Sequence, residues 1–91
     1  MNQKRDRVGI IHEILLLVRG KDGEAGPTYI MYKANLSHQM LNDYLNEMLT
    51  KGFIIGRLDK RGKRTYFVTD KGRAFLNDYQ IIRKFFDSYG F

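Results

Sequence analysis

The chain contains no cysteine and only one proline, Pro27. Without cysteine there is no disulfide and no thiolate-held metal, which suits a reducing compartment. Acidic residues are also scarce: ten Asp and Glu stand against sixteen Lys and Arg, a formal net charge of +6. That excess points to a polyanionic partner, either nucleic acid or an acidic membrane surface, and says nothing about fold. No apolar run is long enough to span a bilayer. Residues 8–18, behind Lys4, Arg5 and Arg7, superficially resemble a signal peptide. His12 and Glu13 interrupt them, however, and a charge at bilayer depth costs about 2.5–3.5 kcal/mol. No small-x-small cleavage site follows. The segment therefore reads as a buried first helix, and the protein as cytoplasmic. Repeats, low-complexity tracts and linkers are missing too, so residues 1–91 are expected to form one domain.

Catalytic and metal-binding patterns are equally scarce. His12-Glu13 lacks the second histidine of a zincin helix. Residues 20–26 are glycine-rich but acidic, unlike a phosphate-binding loop. Ser37-His38 has no third partner for nucleophilic catalysis. No catalytic residue, metal, cofactor or small-molecule site is expected, and the chain reads as a non-enzyme.

What is present is a clear order of elements. Asp6 can cap a helix over about residues 7–19, with Val8, Ile11, Ile14, Leu15 and Val18 at helical spacing and Gly20 as its stop. Pro27 suits the first turn of a short second helix ending at Ala34, with Ile30 and Met31 or Ala34 inward. Asn35 tolerates the left-handed turn that follows. Ser37 can cap a third helix over residues 38–51, whose stripe is Met40, Leu41, Tyr44, Leu45, Met48 and Leu49. Two β-prone runs, 53–58 and 65–69, flank a turn with late glycine and predict a hairpin. Thr69 can cap a last helix over 70–89, within which Gly72 costs up to about 1 kcal/mol.

Three constellations carry chemistry. First, the two helices joined at Asn35-Leu36-Ser37 have the form of a helix-turn-helix, in which the second helix enters the major groove. Its polar side is His38, Gln39, Asn42, Asp43 and Asn46. Gln and Asn can pair bidentately with adenine, and Asp can accept from cytosine. Second, residues 57–64 hold Arg57, Lys60, Arg61, Lys63 and Arg64 against Asp59 alone. Such a ribbon neutralises phosphates and releases counterions. Third, Phe75, Tyr79, Ile82, Phe86 and Tyr89 follow a heptad seam widened by Leu76, Ile81 and Phe85. Helix one can cover the first half. The second half would run beyond a compact domain, and burying each such side chain is worth about 1.5–3 kcal/mol. A two-fold partner helix is therefore expected.

The stretch Ile30-Met31-Tyr32-Lys33-Ala34-Asn35-Leu36-Ser37 resembles the helix-turn-helix core of archaeal winged-helix proteins, a group of transcriptional regulators and small chromatin proteins. Tyr44-Leu45, Leu49 with Lys51-Gly52-Phe53-Ile54, and Thr69-Asp70-Lys71-Gly72 with Phe75-Leu76 are similar to it too. The resemblance implies an α+β, mostly α, winged helix-turn-helix fold: a three-helix core, a β-hairpin wing and a long C-terminal helix. It further implies that Gln39, Asn42 and Asn46 face the groove and that Lys60, Arg61 and Lys63 form the wing tip. The wing, Thr28 and Lys33 would lie on phosphates. The dimerising members pair through a longer final helix, so a shorter helix-pair contact is expected here. The leading expectation is a sequence-reading regulator that binds double-stranded DNA as a homodimer. The alternatives are a nonspecific architectural DNA protein and a protein-docking module. RNA is disfavoured, because Tyr66 and Phe67 make no evident stacking platform.

Overall fold

The computed structural model describes residues 5–91. Helix α1 spans Arg7–Lys21 and starts where Asp6 accepts a hydrogen bond from the Gly9 amide at 2.7 Å. Ile10, Ile11, Ile14, Leu15 and Val18 form its buried face. Two expectations are corrected here. Val8, in the first turn, is exposed rather than in the core. Gly20 does not stop the helix, because an exposed glycine weakens a helix without breaking it. The left-handed turn comes two residues later, at Asp22.

Helix α2, Pro27–Ala34, begins at its proline and buries Ile30 and Ala34, with Met31 only partly covered. Asn35 takes the left-handed conformation (φ 55°) and ends it. Helix α3, His38–Thr50, is capped by the Ser37 hydroxyl, which accepts from the Met40 amide at 3.1 Å. Leu41, Leu45 and Met48 are buried, with Tyr44 and Leu49 partly so. Met40 was expected in that stripe but is exposed. Each helical residue turns about 100° from the last, and this step carries Met40 off the inward face that Leu41 centres.

Strands β1, Ile54–Leu58, and β2, Arg64–Val68, pair antiparallel from Ile54↔Val68 to Leu58↔Arg64. The loop after α1 adds one bridge that was not foreseen, Ala25 to Tyr66, which occupies the other edge of β2. Thr69 lies outside the strand and does two jobs. Its hydroxyl accepts from the Gly72 amide at 3.0 Å, capping α4, and donates to the Gly52 carbonyl at 2.5 Å. Helix α4 is Asp70–Ser88. Gly72 sits where a Cβ would strike the Phe53 carbonyl and come within 2.8 Å of Val68 Cγ1. The missing side chain lets α4 pack directly on the start of the hairpin.

One core joins the four helices and the hairpin through Ile14, Leu15, Val18, Ile30, Leu41, Met48, Ile54 and Leu76. This is the α+β, mostly helical architecture expected from the sequence. Helix α4 reaches that core only at its start. From Gln80 to the last residue every position is exposed.

Candidate nucleic-acid interface

The outward side of α3 follows from its buried side. Leu41, Leu45 and Met48 define one face, so a 100° step places Gln39, Asp43 and Asn46 on the opposite one. All five predicted reading residues, His38, Gln39, Asn42, Asp43 and Asn46, are exposed. They are not equivalent. The Gln39 amide donates from Nε2 to Asp43 Oδ1 at 3.2 Å, joining the two into one unit. Asn42 and Asn46 make no side-chain hydrogen bond among the described residues and keep both amide functions free.

Carboxylates beside a phosphate backbone repel it, and Glu47 lies on the same helix. The structure resolves that conflict with residues sequence reasoning did not assign. Arg7 from α1 hydrogen-bonds both Glu47 oxygens, and Lys51 reaches the same carboxylate at 2.7 Å. The Arg7 hydrogen bond, then that from Lys51, pulls the Glu47 carboxyl down to about 2. The same partnership raises Arg7. The Glu47–Lys51 spacing is legible as an i,i+4 pair; Arg7 is forty positions away in sequence and is not. Arg5 plays a related part. Its guanidinium donates to the Ala34 carbonyl and, at 3.2 Å, to that of Asn35, while pairing with Glu13 at 2.9 Å. A cation on the last carbonyls of a helix is favourable, so Arg5 ties α1 to the α2–α3 turn that sets the pose of α3.

The hairpin turn is built on Asp59. Its Oδ1 accepts from the amides of Arg61 at 2.8 Å and Lys63 at 2.9 Å, and Gly62 supplies the left-handed step (φ 80°). The sequence presents Asp59 only as a lone opposing charge, yet its carboxylate organises the loop. Lys60, Arg61 and Lys63 are exposed there and form no ion pair among the described residues. Arg57 and Arg64 are held closer to the ribbon. The Arg57 guanidinium lies 5.3 Å from the Phe67 ring centroid, and that of Arg64 lies against Gly56. Tyr66 is buried, and burial raises its phenol. The hairpin thus offers cations, and its own aromatic residues are turned inward or covered.

Thr28, at the start of α2, lines a cleft of about 400 Å³ with Lys63 and Arg64, so the structure brings these three together. Lys33 is exposed in the last turn of α2, away from that cleft. On α4, Phe75 and Tyr79 are engaged within the chain and so leave the seam expected to face a partner. Phe75 packs against Phe53 (ring centroids 5.3 Å apart) and Tyr79 stacks on His12 at 4.0 Å. The imidazole is lowered by burial first and by Arg19 second. Ile82, Phe85, Phe86 and Tyr89 remain uncovered at 51%, 58%, 41% and 68% exposure. Ile81, expected to widen this seam, is exposed beside them, and Phe91 extends the apolar surface beyond the predicted set. Among the described residues no cluster of three or more His, Asp or Glu is arranged to hold a metal, and no helix is long and apolar enough to cross a membrane.

Comparison with known proteins gives the following. Residues 4–86 match the winged helix-turn-helix family. Two uncharacterized proteins of Methanocaldococcus jannaschii are related in sequence. MJ0287 is 34% identical over 87% of this chain and 75% of its own length. MJ0290 is 37% identical over 87% of this chain but only 34% of its own length. Sso10a-2, a DNA-binding protein from Sulfolobus solfataricus, has a similar structure: TM-score 0.73, 20% identity, 94% of this chain and 90% of that one. So does MepR, a transcription regulator of the Staphylococcus aureus efflux pump MepA: TM-score 0.77, 13% identity, 88% of this chain and 60% of that one. At these identities the two structures establish a shared fold.

Proposed function

The chain belongs to the winged helix-turn-helix family, and from that premise we propose that it is a transcriptional regulator that binds double-stranded DNA. Helix α3 lies in the major groove, with His38, Gln39, Asn42, Asp43 and Asn46 toward the base edges. The wing, through Arg57, Lys60, Arg61, Lys63 and Arg64, follows the phosphate backbone, joined by Thr28 and Lys33 on α2. Two copies pair through the uncovered part of α4, where Ile82, Phe85, Phe86 and Tyr89 recover the burial a single chain denies them. A two-fold pair addresses half-sites about one helical turn apart, roughly 34 Å or a multiple of it.

One observation carries this reading. Two of the carboxylates near this surface are neutralised or put to structural use, Glu47 by Arg7 and Lys51 and Asp59 by the loop it closes, which leaves Asp43 as the one open carboxylate on the outward side of α3. The wing-tip cations are left free. The decisive experiment measures affinity for a selected duplex, a random duplex and a single strand over a range of salt. A regulator binds the selected duplex at least about 10³-fold more tightly than random DNA, with log affinity falling linearly in log salt. A ratio near one would instead make the protein architectural. Failure to bind any duplex would contradict DNA binding and favour a protein-docking role.

A further inference from the structure

The two carboxylates on the open side of α3 are treated differently, and the difference carries information about sequence preference. Glu47 is held by two cations. Asp43 has none: among the described residues it forms no ion pair, and the contact recorded for its carboxylate is the Gln39 amide at 3.2 Å. Asp43 also sits opposite the buried Leu41, Leu45 and Met48, at the centre of the surface that would meet the groove. In a chain of net charge +6, an unpaired carboxylate at that position opposes approach to phosphate unless a base donor receives it.

The hydrogen bond to Asp43 also settles the chemistry of Gln39. Only the NH2 end of an amide can donate to a carboxylate, so the Gln39 carbonyl oxygen is the end left facing away. The pair therefore presents acceptors: Asp43 Oδ2 and Gln39 Oε1. Resting on the reading of α3 as the groove helix, we propose that Asp43, oriented by Gln39, selects cytosine at one position of each half-site. Guanine shows O6 and N7 in the major groove, and thymine shows O4; all are acceptors and repel this unit. Adenine offers N6–H but places the N7 acceptor beside it, where a second carboxylate or carbonyl oxygen would clash electrostatically. Cytosine offers its N4 amino group with the non-polar C5–H beside it on its own edge, the nearest acceptor being O6 of the paired guanine on the other side. The adenine pairing open to a free glutamine is thereby withdrawn from Gln39 and left to Asn42 and Asn46.

The test is selection from a randomised duplex pool with the wild-type chain and with Asp43→Asn, each of confirmed fold by circular dichroism. The wild type should enrich a motif with one cytosine in each half-site, and changing that cytosine to guanine should weaken binding about tenfold. Asp43→Asn should lose the cytosine preference at that one position and keep the rest of the motif. An unchanged motif with Asp43→Asn, or a wild-type motif without such a cytosine, overturns the assignment while leaving the regulator reading intact. No enriched motif with either chain overturns both.

Discussion

At Glu47 two cations converge on one carboxylate, and its titration reports whether α1 and α3 are locked as described. The folded value is about 2 against an ordinary 4.5. A group depressed on folding stabilises the native state above its unfolded value, and that contribution is lost as pH falls from about 4.5 toward 2. Carboxyl-carbon NMR should therefore find the Glu47 midpoint near 2 and, with Arg7→Ala, closer to 4.5. A wild-type midpoint near 4.5 would mean that the Arg7 clamp is not formed. Two glycines make a second test at this scale. A methyl at Gly72 meets the Phe53 carbonyl, whereas Gly20 has nothing within 4 Å. Gly72→Ala should cost about 1–3 kcal/mol by overpacking, lowering Tm by at least roughly 4 °C. Gly20→Ala should raise stability by up to about 1 kcal/mol. Both are glycines in predicted helical neighbourhoods, and only tertiary structure separates them.

At the scale of elements, the helix starts were legible because caps are local. Asp6, Ser37 and Thr69 each bond an amide three positions on, as their sequence placement implies. The turn at Asn35 was legible for the same reason. What escaped prediction joins distant residues: Arg5 on the α2–α3 turn, Arg7 on Glu47, Ala25 on the edge of β2. No periodicity records such contacts. The wing lies between these cases. Its charge was plain in the sequence, while the loop that holds it depends on Asp59 bonding two amides at once. If the tip supplies phosphate contacts, Arg61→Ala with Lys63→Ala should weaken binding to every duplex alike. It should also reduce the log–log salt slope by about two. A loss confined to one preferred sequence, with the slope unchanged, would remove the wing from the backbone and make it a base reader.

At the scale of the whole molecule, the chain is elongated, 48 × 28 × 21 Å, and its long helix leaves the core after Tyr79. The sequence located the point where intramolecular cover runs out only approximately. The heptad pattern runs unbroken through Phe75 and Tyr79, which the domain uses for itself, and on into Ile82, Phe86 and Tyr89, which it does not. Spacing alone cannot mark the boundary, since the same seam serves both surfaces. Ile82→Asp with Phe86→Asp should turn a dimer into a monomer by light scattering and leave the thermal transition of the domain nearly unchanged at low concentration. A wild-type chain that is monomeric at high concentration would remove the α4 pairing from the account.

In the proposed function, α3 and the wing together form the one surface that receives duplex DNA. Amide-shift mapping by NMR on titration with a duplex tests it most directly. The predicted result is a coherent set of perturbations over residues 38–46 and 60–64, with residues 81–91 undisturbed. Perturbations confined to α4, or to the wing without α3, would contradict it.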